Sequence, residues 1–252
     1  MNYMAIFRRN KKEDDPLWHE EDVRRCGGYV YNVSEDFSAR HHNRRVTDAI
    51  LNAFEYKDKK VIDIGCGDGI HTFKIWERGR PEELVGVDPA KEAVRVANER
   101  YGRYGINFYD FSIYNMPFPD GYFDIAVVKG VIHHLDRPLD GISEAVRISK
   151  KIVMTDPNGY NPVLKIIEKT SSYHRAHKEM SFFPFQHNRW LKKAGARLVR
   201  DYYILLVPMF FPEGPARLFA RLEPFFESNY FLQRFFCGTH VRIAENIKYG
   251  LK

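Results

Sequence analysis

The sequence predicts an α/β fold: a Rossmann-like sheet of seven mainly parallel strands, with helices on both faces, the last strand antiparallel and helical cap insertions. Short runs rich in Val and Ile alternate with segments whose apolar residues recur at helical spacing. A glycine-rich turn within VIDIGCGDGIHT, residues 61–72, follows the first run. The 252 residues are enough for one large core. We therefore expect functional groups at the carboxyl ends of the parallel strands.

The first half of the chain alternates between the two kinds of element. Apolar residues at helical spacing predict a helix over 46–54, and VIDIG predicts a buried strand over 60–64. A helix over 69–77 follows the glycines, and LVGVD predicts a strand over 84–88. Alanines and valines that share one face predict a helix over 90–101.

The second half continues the alternation. A turn at Asp120-Gly121 precedes the run FDIAVVKG, and Gly195 ends a helix in the manner of a C-cap. Apolar spacing predicts helices around 139–146 and 185–194. The remaining strands are predicted at 106–110, 123–130, 151–156, 196–206 and 239–246.

Three segments lie outside this alternating pattern. Residues 1–45 are predicted to form an N-terminal arm or cap, and residues 46–252 the domain itself. Within the domain, residues 157–184 and the aromatic-rich residues 207–237 are predicted insertions. Both insertions exceed the usual length of a connection between strand and helix, so we expect them to cover a pocket.

Composition and charge narrow the class of protein. Lys and Arg exceed Asp and Glu by 39 to 33, a mild basic excess spread along the chain that does not by itself indicate nucleic acid. The three cysteines are odd in number and far apart, which argues against a disulfide framework. There is no apolar run long enough for a signal peptide or a membrane span. We expect a cytoplasmic protein.

The glycine loop predicts a ligand that the backbone approaches closely. Gly65, Gly67 and Gly69 are spaced G-x-G-x-G, whereas the dinucleotide fingerprint is G-x-G-x-x-G. Free N–H groups at the start of the following helix would suit a negative group. Asp88, at the end of the second predicted strand, either binds a ribose or caps the helix that Pro89 opens.

Asp110 and Phe111 follow the third predicted strand. The carboxylate could accept a hydrogen bond from an adenine amino group while the ring of Phe111 covers the base. An aspartate that only stabilises a turn is the alternative.

The ordered series VIDIGCGDG, LVGVD and INFYDFSIYNMPFPDGYFDIAVVKGVIHHL resembles the class I S-adenosylmethionine-dependent methyltransferases, in particular the group called methyltransferase type 11. The resemblance covers residues 46–195 and implies S-adenosylmethionine as methyl donor. It implies that Asp63 holds the methionine amino group, that the glycine loop contacts the amino-acid part, and that Asp88 binds ribose. The full set of donor-binding residues that we expect is Asp63, Gly65, Cys66, Gly67, Asp88, Pro89, Asp110, Phe111 and Lys129.

Catalytic candidates lie after the fourth and fifth predicted strands. His133 and His134 could take a proton from an acceptor, and we select His134; a histidine that only shapes the turn is the alternative. Asp156 is a second candidate, as a substrate contact or as part of a turn. His174 and His177 could share a helical face, but nothing completes a set of metal ligands, and we expect no metal.

The acceptor is predicted from residues 207–237, where arginines stand between numerous aromatic residues. This insertion could be a lid over a small-molecule or lipid-like acceptor, a peripheral membrane contact, a homodimer interface or a helical cap that closes the core. An RNA acceptor is disfavoured because acidic residues alternate with the basic ones, and no DNA partner is expected. A non-catalytic nucleoside-binding module is the competing function, and an NAD-dependent oxidoreductase is a weaker one.

Overall fold

A seven-stranded sheet in the order β3-β2-β1-β4-β5-β7-β6 forms the centre of the computed structural model, which describes Val23, residues 27–29, Asn32, residues 34–170 and residues 181–250. The pairs among β1 to β5 are parallel, and β7 is antiparallel to both β5 and β6. The strands are β1 Lys60–Ile64, β2 Glu83–Val87, β3 Asn107–Tyr109, β4 Phe123–Lys129, β5 Ser149–Pro157, β6 Ala196–Ile204 and β7 Thr239–Asn246. The predicted fold class is confirmed.

Helices cover both faces of the sheet, as predicted. Alternate strand residues point to opposite faces, so Val61 belongs to one apolar cluster and Ile62 to the other. The first cluster packs against α1, α2 and α3, and the second against α4 and α6. The helices are α1 Phe37–Leu51, α2 Ile70–Gly79, α3 Lys91–Tyr101, α4 Pro138–Ile148, α5 Pro162–Thr170, α6 Pro184–Lys193, α7 Glu213–Ser228 and α8 Tyr230–Phe236.

Helix α1 begins at Phe37, within the segment that the sequence assigned to the N-terminal arm. The periodicity of apolar residues missed its first turns because their buried face is polar. Ser38, His41 and Asn43 are all buried there. The helix predicted over 46–54 is therefore the second half of a longer one that ends at Leu51.

The two predicted insertions contain helices and contact each other at the carboxyl edge of the sheet. Helix α5 lies in the first insertion, and helices α7 and α8 lie in the second. The Asn158 side-chain amide donates to the carbonyls of Arg234 and Cys237, both at 2.8 Å. Asn161 donates to the carbonyl of Phe236 at 2.9 Å. Two buried asparagines thus join the insertions into one cap. The proposed division of the chain at residue 46 stays a prediction.

Three further features can be stated for the described ranges. No helix there is long and apolar enough to cross a bilayer. No group of three or more His, Cys, Asp and Glu side chains in the same ranges is arranged to hold a metal ion. Cys66 and Cys237 are buried and free of disulfides. Cys26, His174 and His177 lie outside the described residues.

Candidate functional site

The glycine loop lies where β1 ends, beside the ends of β2 and β4. Gly65, Gly67 and Gly69 have φ values of 79°, 54° and 78°, in the left-handed region that favours glycine. Added Cβ atoms at Gly65 and Gly67 would lie 2.2 Å from a methyl of Val131 and 2.4 Å from the Tyr29 ring. Both the backbone conformation and the close packing therefore require glycine.

The amides of this loop are paired within the chain. Gly65 and Cys66 donate to the Val87 carbonyl at 2.7 and 3.0 Å. Gly67 donates to the Asp88 carboxylate at 2.9 Å, and Gly69 donates to the Cys66 carbonyl at 3.1 Å. These four loop amides are therefore not available to a ligand, and the predicted free amides at the start of α2, which begins at Ile70, stay a prediction. The acidic side chains around the loop supply the charge of the site instead.

Asp88 forms a turn directly before α3 but does not cap the helix, the role that the sequence allowed, because the N-cap residue is Ala90 and no side chain caps it. One of its carboxylate oxygens accepts from Gly67 and the other accepts from the Ala90 amide at 2.9 Å, directly before α3. The residue is 8% exposed, while Pro89 beside it is exposed. Burial raises the pKa of Asp88 to about 6, although both backbone hydrogen bonds oppose that shift. Ribose binding by Asp88 stays a prediction.

Asp63 is a second buried carboxylate, on β1 itself. It accepts a hydrogen bond from the Thr72 hydroxyl at 2.6 Å. Burial raises its pKa to about 6, and the nearby positive charge of Lys129 opposes the shift. Lys129, at the end of β4, has its pKa lowered to about 8 by desolvation, with Asp63 and Asp68 opposing. This set of buried acids is suited to a ligand with a positive charge.

Two histidines near Lys129 were missed by the sequence analysis. Burial lowers the pKa of His42 to about 3 and lowers the pKa of His71 well below its usual value. Thr47 donates its proton to the Asn43 carbonyl at 2.7 Å, so its oxygen accepts from His71 Nδ1 at 3.1 Å. Within the described part of the chain, the buried His71 Nε2 has no hydrogen-bond partner. Its position directly after the glycine loop was the available signal.

The described residues of the N-terminal arm contact the glycine loop through Asp68. This fully buried carboxylate accepts from the Tyr29 amide and from the Asn32 side-chain amide, both at 3.0 Å. Tyr29 and Asn32 therefore lie against the loop, and the role of the arm as a cap stays a prediction.

Asp110 and Phe111 lie at the outer edge of the same site, after β3. The Asp110 side chain is 48% exposed and lies 3.8 Å from the ammonium group of Lys91. Phe111 stacks on Tyr109, with ring centroids 5.3 Å apart. Both side chains are accessible to a ligand, and the predicted contact with adenine stays a prediction.

The structure pairs Asp156 with His133, although the sequence analysis selected His134. Asp156 Oδ1 lies 3.0 Å from His133 Nδ1 and 3.4 Å from the His133 amide. The His134 ring lies beside that of His133, with centroids 3.9 Å apart. A catalytic role for His134 stays a prediction. The signal for His133 was the adjacency of β4 and β5, which brings the residues after both strands together.

The sequence is similar to known methyltransferases. Residues 62–152 match the sequence model of the methyltransferase domain family. An uncharacterized methyltransferase of Schizosaccharomyces pombe is 29% identical, over 52% of this chain and 50% of the relative. The chloroplastic 2-methyl-6-phytyl-1,4-hydroquinone methyltransferase 2 of Oryza sativa subsp. japonica is 29% identical, over 61% of this chain and 43% of the relative. The tRNA U34 carboxymethyltransferase of Helicobacter acinonychis is 31% identical, over 42% of this chain and 44% of the relative. The chain spans about half the length of these curated relatives.

Solved structures agree in fold. One solved structure is the complex between the Haloferax volcanii Trm112 methyltransferase activator and a methyltransferase. A chain of this complex superposes with a TM-score of 0.62 at 16% identity, over 83% of this chain and 96% of that one. A methyltransferase of Archaeoglobus fulgidus superposes with a TM-score of 0.61 at 17% identity, over 92% of this chain and 100% of that one. At such identities the likeness concerns the fold alone. Together, the domain match over residues 62–152, the relatives and the sheet topology show that the chain contains a methyltransferase domain with the fold of the class I S-adenosylmethionine-dependent methyltransferases.

Proposed function

We propose that the protein transfers a methyl group from S-adenosylmethionine to a small-molecule or lipid-like acceptor by in-line displacement. The observation that carries this proposal is the glycine loop between two buried carboxylates, Asp63 and Asp88, at the ends of neighbouring parallel strands. Ligands of α/β proteins bind at this edge of the sheet. The donor carries a positive amino group and a sulfonium, and buried acids beside a close-approaching backbone fit such a ligand.

The residues around the loop divide the binding of the donor among them. Asp63 would hold the amino group and Asp88 the ribose hydroxyls, while Asp110 and Phe111 would contact adenine. When bound, S-adenosylmethionine supplies an electrophilic methyl group that needs no acid for its activation. The protein then contributes mainly position, which in bimolecular reactions accounts for much of the acceleration.

The cap supports an apolar acceptor because α7 turns its apolar residues outward. Leu218, Leu222 and Phe225 share one face and are 58, 41 and 65% exposed. On the inward face, the fully buried Glu223 accepts from His41 at 2.8 Å and from Arg45 at 2.6 Å. Helix α7 is thus attached to the body by a carboxylate. Its exposed apolar stripe favours a lipid-like acceptor or a membrane surface that holds one.

RNA is the second candidate acceptor. It is favoured by the 31% identity to a tRNA U34 carboxymethyltransferase and by the net charge of +6. It is disfavoured because two arginines on this side of the molecule are already paired with glutamates: Arg217 of the cap with Glu213, and Arg45 of α1 with Glu223. A non-catalytic module that only binds the nucleoside remains the competing function.

Binding and transfer are tested separately. Isothermal titration with S-adenosylhomocysteine and with NAD should give affinity for the former, and Asp63→Asn should weaken it. Labelled methyl groups should then pass from the donor to a lipid or small-molecule fraction. Transfer to the RNA fraction would replace the acceptor class proposed here, and binding without transfer to any fraction would favour the non-catalytic module. A preference for NAD would overturn the proposal.

A further inference from the structure

A buried polar cluster lies beneath α6, on the side of the sheet away from the glycine loop's helix α2. Arg242 on β7 is fully buried, and its Nη2 lies 3.0 Å from Nδ1 of His187 on α6. His187 Nε2 lies 4.0 Å from Asp156 Oδ2, and Asp156 Oδ1 lies 3.0 Å from His133 Nδ1. Four side chains from β7, α6, β5 and the turn after β4 thus form one row. His133 is its last member, at the carboxyl edge of the sheet.

The first contact fixes the tautomer of His187. A guanidinium has only N–H donors, so His187 Nδ1 must accept from Arg242. Burial lowers the pKa of His187 well below its usual value and keeps the ring neutral. Its single proton is therefore on Nε2, which faces Asp156 Oδ2. Within the described ranges both atoms are buried without a hydrogen-bond partner, and they face each other at 4.0 Å.

The next contact fixes the tautomer of His133. Asp156 Oδ1 accepts from the His133 amide and faces Nδ1 of the same ring. A carboxylate only accepts, so the ring proton lies on Nδ1 and the lone pair lies on Nε2. The ring is close to the methyl-transfer edge. Its Cε1 lies 3.8 Å from where a Cβ of Gly130 would be, and the neighbouring Val131 packs on Gly65.

We propose that His133 Nε2 is the general base for the acceptor, and that Asp156, His187 and Arg242 are positioning residues that hold the His133 ring in this tautomer. This inference rests on the proposed methyl transfer. The acceptor loses its proton to His133 Nε2, and its freed electron pair forms the bond to the methyl carbon. The bonding pair of the broken C–S bond stays on sulfur, and the proton later leaves His133 for water.

The charges around Arg242 explain why the row is held in place. Asp156 and Asp201 both lie close enough to stabilise the guanidinium, although burial lowers the pKa of Arg242 to about 10. Asp201 is itself bonded to His240 Nε2 at 3.2 Å, and burial lowers the pKa of His240 to about 3. Replacing a buried ion network by well-packed apolar residues is often neutral or stabilising, so such a network is weak evidence of a role in stability. Its presence between the last strands is therefore better explained by orientation of Asp156 than by stability.

The tautomer of His133 can be measured without any acceptor. In histidine-labelled protein, long-range proton–nitrogen correlation spectra should show the Nδ1–H tautomer, with the signal assigned by its loss in His133→Gln. Asp156→Asn and Arg242→Gln should each shift the ring toward the Nε2–H form. Arg197→Gln, which removes an exposed guanidinium of β6 that pairs with Glu245 outside the row, is the control and should leave His133 unchanged. An Nε2–H tautomer in the wild-type protein would overturn the inference, even if the Arg242 variant did not fold.

Turnover separates this inference from the proposed function. His133→Gln should lower kcat at least about a hundredfold, with affinity for S-adenosylhomocysteine unchanged. His134→Gln should retain most of the rate. Loss of rate in His134→Gln alone would transfer the role of base to that residue. Absence of donor binding in the wild-type protein would instead contradict the proposed function itself.

Discussion

Asp63 and Asp88 are two buried carboxyls whose protonation changes near neutral pH. Each has its pKa raised by burial to about 6, above the ordinary value of about 3.9 for aspartate. At pH 7 both are ionised, and a cationic ligand gains from their charge. Below pH 6 each takes up a proton, and that gain is lost.

Donor affinity should therefore rise with pH between about 5 and 7. We expect S-adenosylhomocysteine, which retains the positive amino group, to bind up to about tenfold more weakly for each unit of pH below 6 and for each carboxyl that must be ionised. Isothermal titration across this range measures the effect. Asp63→Asn should bind weakly at every pH and show a flatter profile. A profile as steep as that of the wild-type protein would exclude Asp63 as the group responsible.

At the scale of single residues, sequence reasoning found acids at strand ends but not their partners. Asp63 and Asp88 were identifiable because the first lies one residue before the end of the strongly patterned strand β1 and the second directly follows β2. The choice between His133 and His134 depends on a short helical turn over Ile132–His134 and on the register of β4 against β5. Neither the helical turn nor the strand register can be predicted from the sequence motif H-H-L. The row to Arg242 joins residues more than fifty positions apart and could not be predicted at all.

At the scale of elements, α7 is attached to the body by charge. Glu223 Oε2 faces His41 and Arg45, while Oε1 accepts from the amides of Leu206 and Val207 at 3.1 and 3.3 Å. One carboxylate thus joins α7, α1 and the segment after β6. Strand limits were predicted to within one residue except for the start of β5 and the end of β6, which each differ by two residues, because β-branched runs are distinctive. For α7, by contrast, the sequence left open whether the apolar side chains close the core or face a lipid or a partner, and the structure shows Leu218, Leu222 and Phe225 exposed.

Removal of the Glu223 carboxylate should loosen α7. Glu223→Ala leaves Arg45 and His41 without their shared acceptor, and we expect a loss of about 3 kcal/mol in the free energy of unfolding. Urea unfolding measures the change in the free energy of unfolding of the whole protein. Hydrogen exchange should show that the backbone amides of α7 exchange faster in the variant. Glu213→Ala removes an exposed carboxylate of the same helix and is the control. Equal stability of the two variants would contradict the anchoring role of Glu223.

At the scale of the whole molecule, the exposed apolar side chains are concentrated on the cap. Beyond Leu218, Leu222 and Phe225, the cap helices and the start of α6 expose further large apolar side chains: Val163, Ile166, Phe185, Tyr230, Phe231, Phe235 and Phe236. The sequence predicted the sheet and the position of the cap. It could not predict which way the cap faces, because a polar anchor and an apolar anchor can give the same periodicity.

A bilayer surface should bind this face. With vesicles of phosphatidylcholine mixed with phosphatidylserine, we expect co-sedimentation that the triple variant Leu218→Ser, Leu222→Ser, Phe225→Ser abolishes. Val199→Ser with Ile247→Ser, which removes two exposed apolar side chains outside the cap, should sediment like the wild-type protein. If the triple variant and the control variant sedimented with vesicles to the same extent, the exposed side chains of the cap would not be the membrane contact. Concentration-dependent sedimentation without lipid would indicate a homodimer instead.

The second insertion leaves and re-enters the sheet at nearly the same point. The Gly238 amide donates to the Leu205 carbonyl at 2.6 Å, so the chain between the end of β6 and the start of β7 closes on itself. Closing a longer or shorter loop at fixed ends changes the free energy only slowly with length. Residues 206–237 could therefore be exchanged for another sequence while the hairpin of β6 and β7 keeps its register. Replacement of residues 206–237 would then change which acceptors are bound, while the glycine loop and the strands that carry the donor site stay the same.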